Sequence, residues 1–380
     1  MGKTLGLLRR LNICLAWNMR VLALITDGFG GHGGISQYNR DLLTALSAAD
    51  FVREVVVLPR LGQVRDVELP ARILQQPPVF NWMGYSMCAL NLAIRKRPFD
   101  LVFCGHISHA PLGAAIARSQ KTPLWLQLHG VDAWTRPHPL VRWAAEQSDL
   151  VTVVSRYTRR RFLGWASIEP ERVRVLPNTV VDRYAPGPKS TQVIEQYGLR
   201  GKRVLLTISR ISVYDSYKGH HRVIAVMPEL IREYPNLVYV VAGDGDGRKK
   251  LQQLAVEHGV AESVKFIGKV NEAQLPDLYR TADVFVMPST KEGFGIVFLE
   301  AMRSGIPAIG GNSDGSMDPL RDGAAGYAVS CDSRTELIAA IRSALVNPRD
   351  GAQHAHAFNC TAFSEHCESL LRSRLARAVH

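Results

Sequence analysis

Two glutamates with seven residues between them, Glu292 and Glu300, frame the stretch best equipped for chemistry, Pro288-Ser-Thr-Lys-Glu-Gly-Phe-Gly-Ile-Val-Phe-Leu-Glu-Ala-Met302. A carboxylate accepts hydrogen bonds from paired hydroxyls. Gly293 and Gly295, on either side of Phe294, remove side chains where backbone must approach a ligand, and their amides are open to an anion. Upstream, TISRISVYDSYKGH sets Arg210 and Lys218 eight positions apart at a strand-to-helix transition. A guanidinium and an ammonium there neutralise a diphosphate as its charge grows. Near the start, Asp27-Gly-Phe-Gly-Gly-His-Gly-Gly34 precedes a helical pattern over residues 35–46, so amides at Gly33 and Gly34 make a phosphate cradle. His129, followed by Gly130, ends an apolar run; a histidine so placed is as often a packed core residue as a functional one.

Each feature has an ordinary explanation when taken alone. Glutamates recur at this spacing by chance, single surface cations contribute little, and glycine clusters often only turn the chain. Gly28, Gly30 and Gly33 satisfy G-x-G-x-x-G. The acid that should follow at the end of the second strand is missing, since that strand ends Val57-Leu58-Pro59-Arg60. A nicotinamide-dependent oxidoreductase is therefore disfavoured.

These residues need a frame that brings loop ends together. From residue 20, short β-branched and leucine-rich runs alternate with helix-length amphipathic segments, the pattern of parallel sheets with crossover helices. Strands are expected at 20–26, 54–58, 100–104, 124–128, 150–153 and 173–176, and, after a proline-rich break at 177–190, at 203–209, 237–242, 264–267, 284–287 and 307–309. The fold class is α/β, with two doubly wound, Rossmann-like domains expected to face each other across a cleft. Residues 19–182 form the first, with a C-terminal helix at 358–380 packing back on it, and residues 190–357 form the second. Ligands in such sheets bind outside the carboxyl ends of the strands, where the residues above fall.

Composition narrows the partners. With 380 residues and 46% hydrophobic content the chain buries two cores, and its +12 formal charge and pI near 9.6 favour anionic partners. The basic residues are scattered, with clusters at 95–97 and 156–161, and lack the patterns of nucleic-acid binders. Six cysteines without a C-x-x-C pair read as core thiols in a reducing compartment. No apolar run reaches the roughly 18 residues of a membrane span. Residues 1–18 resemble the start of a signal peptide but lack a small-residue cleavage site before Met19, which also reads as a start. His354, His356 and His366 have no companion ligands and no aspartate motif for a divalent ion is present, so no metal is expected.

The run from Pro288 to Met302 resembles the signature of retaining glycosyltransferases of family 4, the "group 1" enzymes of GT-B architecture. The resemblance is strong from Arg203 to Tyr327, including Gly243-Asp-Gly-Asp246, Phe266-Ile-Gly268 and Ala282-Asp-Val-Phe-Val-Met-Pro288. Earlier it is diffuse, resting on Gly33-Gly34, His129-Gly130, and Pro177-Asn178 with Asp182. It implies that Glu292 contacts the donor sugar, Glu300 the nucleotide ribose, and Arg210 with Lys218 the diphosphate. Gly34 would donate an amide, Gly33, Gly293, Phe294 and Gly295 would line the donor site, and His129 would meet the sugar.

The implied enzyme is a metal-independent hexosyltransferase needing no cofactor beyond its nucleotide diphosphate sugar, with GDP-mannose and UDP-hexoses as leading donors. The implied acceptor is a saccharide or polyprenyl-linked glycan of exopolysaccharide or lipopolysaccharide biosynthesis. The expected location is cytoplasmic, peripheral on the cytosolic face of the inner membrane, with the basic residues 156–161 against anionic lipid. Two features depart from the family pattern: the longer Arg210-to-Lys218 spacing, and Gly310-Gly-Asn-Ser-Asp-Gly-Ser316 where relatives carry a glycine pair followed by Pro-Glu. The second leaves donor identity open. A catalytically inactive GT-B-fold binding protein is opposed by the retention of Glu292, Arg210 and Lys218; a sugar-nucleotide epimerase is a further alternative.

Overall fold

In a computed structural model of the chain, residues 18–31, 33–63, 68–96 and 98–378 are described; residues 1–17 of the leader-like stretch, Cys14 among them, lie outside them. The chain divides into two compact units, one running to Pro177 and resuming at Cys360, the other spanning Asn178–Asn359.

The first unit is built from β1 (Met19–Ile25), α1 (Gly34–Ala48), β2 (Val52–Pro59), β3 (Ile73–Gln75), α2 (Trp82–Arg95), β4 (Leu101–Cys104), α3 (Ala110–Gln120), β5 (Leu124–Leu128), α4 (Pro139–Glu146), β6 (Leu150–Val153), α5 (Arg156–Leu163) and β7 (Val173–Val175). The strands form one parallel sheet in the order β3-β2-β1-β4-β5-β6-β7. Because helices cover both faces, its central strands are near-continuous apolar runs, with Leu22, Leu24, Val56, Val102, Leu126 and Val151 in one core. Order reverses at β1, which lies between β2 and β4, so the loops leaving β1 and β4 part there and leave room for a ligand.

The second unit repeats the scheme with α6 (Thr191–Tyr197), β8 (Arg203–Ile208), α7 (His220–Glu233), β9 (Leu237–Ala242), α8 (Arg248–Glu257), β10 (Val264–Gly268), α9 (Leu275–Thr281), β11 (Val284–Met287), α10 (Ile296–Arg303), β12 (Ala308–Gly311), β13 (Tyr327–Val329), α11 (Arg334–Val346) and α12 (Ala352–His356). Its parallel sheet runs β10-β9-β8-β11-β12-β13, with the reversal at β8. The last helix, α13 (Cys360–Ala378), returns to the first unit and packs along α1. It buries Phe363, Cys367, Leu370 and Leu371, and the Phe363 ring meets Tyr38 edge-on at 5.7 Å.

Three sequence expectations change. Strands β3 and β13, of three residues each, are additions. No α-helix follows β12, where two short 3-10 turns, Gly315–Met317 and Arg321–Gly323, occupy the connection. Cysteines read as core prove mixed: Cys104 and Cys367 are buried, whereas Cys88 and Cys360 are exposed. The arginines of α5 are partly committed within the fold, for Arg159 donates to the carbonyls of Val173 and Pro170 at 2.9 and 2.8 Å, and Arg161 donates to that of Trp134 at 3.2 Å.

Leu371 is 2% exposed. Truncating it in Leu371→Ala is expected to destabilise the protein by about 2–4 kcal/mol, the usual cost of a core leucine cavity, read as a lower calorimetric melting temperature.

Candidate active site

In the first unit, the loop leaving β1 is fastened from several sides. Asp27 accepts from the Gly28 amide at 2.8 Å, Ser36 donates to the Gly28 carbonyl at 2.9 Å, and Arg40 donates to the Gly31 carbonyl at 2.8 Å. Gln75, on the unexpected strand β3, bonds Phe29 through both its amide and its carbonyl. The loop ends at Gly33, which starts α1 with φ 95° and without a capping side chain. A Cβ on Gly33 or Gly34 would meet nothing within 4 Å, so the start of α1 presents amides without local obstruction.

His129 follows β5. Its Nε2 lies 2.8 Å from the Gly105 carbonyl, its ring meets Tyr38 edge-on at 5.2 Å, and Asp132 accepts from its backbone amide at 3.1 Å. Burial holds its pKa below the ordinary histidine value against the opposing pull of Asp132, favouring a neutral ring that donates from Nε2. His106, after β4, stacks on it at 6.4 Å and approaches Asp132 to 3.9 Å. Sequence reading did not mark His106 or Asp132, which no local pattern distinguishes.

In the second unit, the structure joins Lys218 and Glu292 directly: Nζ lies 2.5 Å from Oε2, with the two side chains 18% and 16% exposed. Lys218 ends a 3-10 stretch, Val213–Lys218, and the Thr290 amide donates to the Tyr217 carbonyl at 3.0 Å. Gly219 comes next, with φ 85°; a Cβ there would stand 2.3 Å from the Pro288 carbonyl oxygen, so only glycine lets the two loops touch. Arg210 is exposed on the loop leaving β8. That loop rests on the Gly243-Asp-Gly-Asp246 turn: the Ile211 amide donates to the Asp244 carbonyl at 3.0 Å and the Val213 amide to Asp246 at 2.9 Å. Behind Lys218, the His220 ring lies 3.0 Å from the Ser209 hydroxyl, and burial, helped by the Lys218 charge, lowers its pKa to about 4.

Gly295 starts α10, and Glu300 lies on that helix with its carboxylate accepting from the Tyr279 hydroxyl at 2.7 Å. Burial raises the Glu300 pKa, and the Tyr279 bond works against the rise. Phe294 is turned inward, 2% exposed with its ring 5.8 Å from Phe358, so any contribution of this residue to a ligand is confined to its backbone. Asp182 is held by Arg303 of α10 at 2.6 Å.

Sequence reading also passed over Asp314, inside the departure Gly310–Ser316. Its buried carboxylate accepts from the Ser289 hydroxyl at 2.8 Å, the Glu292 amide at 2.7 Å and the Ser316 amide at 2.9 Å. Those bonds oppose the upward shift that burial gives its pKa. Beside it, the Gly315 amide donates to the Glu292 carbonyl at 2.8 Å, and a Cβ on Gly315 would stand 2.0 Å from the Gly293 carbonyl oxygen. Asp314 and Gly315 together fix the backbone on which Glu292 rides. Among the described residues, no three His, Cys, Asp or Glu side chains converge as a metal-binding set.

Comparison with known proteins matches this arrangement to one family. The profile described as "Glycosyl transferases group 1" matches residues 190–362, and that described as "Glycosyltransferase Family 4" matches residues 32–183. Over 354 residues the chain is 31% identical to the GDP-mannose-dependent alpha-(1-6)-phosphatidylinositol monomannoside mannosyltransferase of Mycobacterium tuberculosis, covering 88% of this chain and 90% of that protein. The chain is a group 1, family 4 glycosyltransferase. The enzyme of the same name from Mycolicibacterium smegmatis is 32% identical over 255 residues, 64% of this chain and 66% of that one. Anabaena HepE, solved with UDP and glucose, superposes with a TM-score of 0.75 at 21% identity over 93% of this glycosyltransferase and 100% of its own chain, which identifies the fold as GT-B.

Two outcomes are expected of the glycosyltransferase. Asp314→Asn replaces an accepting oxygen with a donating amide, so Ser289, Glu292 and Ser316 cannot all be served. It should cost about 1.5–3 kcal/mol, the range for hydrogen bonds to a charged group, read in the unfolding midpoint and in weaker nucleotide binding by calorimetry. His220 binds its proton more tightly in the unfolded chain. Its contribution to stability is therefore whole above the ordinary value of 6.5 and is lost as pH falls towards about 4. His220→Gln should flatten the stability profile across that window by up to about 3 kcal/mol, measured by urea denaturation at stepped pH.

Proposed function

We propose that this glycosyltransferase moves a hexose, mannose first, from a nucleoside diphosphate sugar to a saccharide or lipid-linked acceptor, with retention at the anomeric carbon and without a metal. The observation that carries the reading is the Lys218–Glu292 pair at the carboxyl ends of β8 and β11, fixed between loops that Gly219 and Asp314 hold in place. Preference for GDP-mannose rests on the relatives, whose names specify that donor and a phosphatidylinositol mannoside acceptor. Extension of surface polysaccharides in the cytoplasm belongs to the same proposal.

In this reading Lys218 and Arg210 neutralise the diphosphate as the bond from the anomeric carbon to the phosphate oxygen breaks. Glu292 exchanges part of its contact with Lys218 for hydroxyls of the sugar, and Glu300, already bonded to Tyr279, takes the ribose hydroxyls. In the first unit, the Gly33 and Gly34 amides meet an anionic group and neutral His129 a sugar hydroxyl. The acceptor oxygen attacks the face the diphosphate leaves, and its proton passes to the departing phosphate oxygen. No protein base is required.

Lys218→Ala should lower kcat roughly 100- to 1,000-fold, the cost of removing one transition-state donor, with a smaller change in donor KM. Steady-state kinetics with GDP-mannose, after thermal-shift comparison of GDP with UDP and NADH, provide the check. Unchanged turnover would remove the leaving-group role, and a shift with UDP alone would reassign the donor.

A further inference from the structure

Helix α2 is apolar on two opposite sides and covered on only one. Tyr85, Ala89 and Ala93 are buried against the sheet. Met83, Met87, Leu90 and Ile94 recur at intervals of four, three and four, which aligns them in one stripe on the other side. That stripe faces water: Met83 is 76% exposed, Met87 66% and Ile94 63%, with Phe80 at 62% just before the helix. The 14-residue helix carries one charged residue, Arg95, at its end. Surface helices keep polar residues outward, so a stripe of this kind marks a contact.

The local charge states what the contact is with. From residue 69 to residue 99 there is no Asp or Glu, while Arg95 and Lys96 stand consecutively at the end of α2. At the other end Arg60 lies over the Trp82 ring at 4.8 Å. An uncharged apolar stripe with an indole at one end and cations at both is the make-up of a helix lying in a lipid interface, where methionine, leucine and isoleucine enter the acyl region and cations meet headgroup phosphates. The site is close by. The Trp82 ring packs on His109 at 5.3 Å, and His106, which stacks on His129, is 6.4 Å from His109.

We propose that α2 is the face by which this glycosyltransferase docks, lying flat, on an anionic phospholipid bilayer. The inference rests on the lipid-linked acceptor reading for its purpose, while its test needs no turnover. It places a lipid contact on α2, apart from the one expected at residues 156–161.

The full chain is cosedimented with vesicles of phosphatidylcholine alone and of phosphatidylcholine with phosphatidylglycerol, across a salt series. Binding to the mixed vesicles, weakening as salt rises, is expected. The triple variant Met83→Ser, Met87→Ser, Ile94→Ser should lower that partitioning about ten-fold or more, and Arg95→Glu with Lys96→Glu should abolish the preference for phosphatidylglycerol. Both variants should keep the wild-type thermal shift with the nucleoside diphosphate, which separates loss of docking from loss of fold and from failure of the donor reading. Equal vesicle binding by the triple variant, or none by the wild type, overturns the proposal. So does a dimer in light scattering that the triple variant dissolves, since the stripe would then cover a second copy.

Discussion

The ion pair between Lys218 and Glu292 is the contact on which the candidate site depends. Two charges held 2.5 Å apart with little solvent lose much of their hydration, and that loss is offset only when the geometry is held in advance. Both ends are held. Lys218 is followed by Gly219 seated against the Pro288 carbonyl, and Glu292 rides on backbone that Asp314 and Gly315 fasten. The loops that hold the two ends thus fix the pair, so a ligand that takes over its charges meets groups already in position.

The surrounding groups obey the same restriction on charge. Burial raises the pKa of Glu300 and Asp314 and lowers that of His129 and His220. Each acid is compensated by hydrogen bonds it accepts, and each histidine is favoured as a neutral ring beside a polar partner. The carboxyl ends of the two sheets are therefore places where charge is costly unless it is matched, a setting in which an incoming diphosphate and its cations interact more strongly than in water.

Much of the frame was legible because apolar periodicity is local. Strands 124–128, 150–153, 237–242 and 284–287 are found at the expected residues, since a buried parallel strand writes itself as an unbroken apolar run. The short strand β3, Ile73–Gln75, left no such mark, and it hid the glutamine that fastens the first glycine loop. Asp314 was hidden differently. It stood in a segment noted only as a departure from a pattern, and its value lies in three partners, two of them more than 20 residues away.

What the sequence determined by itself was the alternation that builds two doubly wound sheets and the residue types carried to the strand ends. Those follow from local spacing and side-chain chemistry, which need no knowledge of distant neighbours. The tertiary structure decided which of those residues meet. Lys218 pairs with Glu292 across 74 positions, Phe294 turns inward, the α5 arginines bond backbone, and the outer stripe of α2 is left uncovered. The physical reason is that pairing and exposure depend on what packs alongside, and a chain that folds two sheets from crossover units brings its neighbours from far along the sequence.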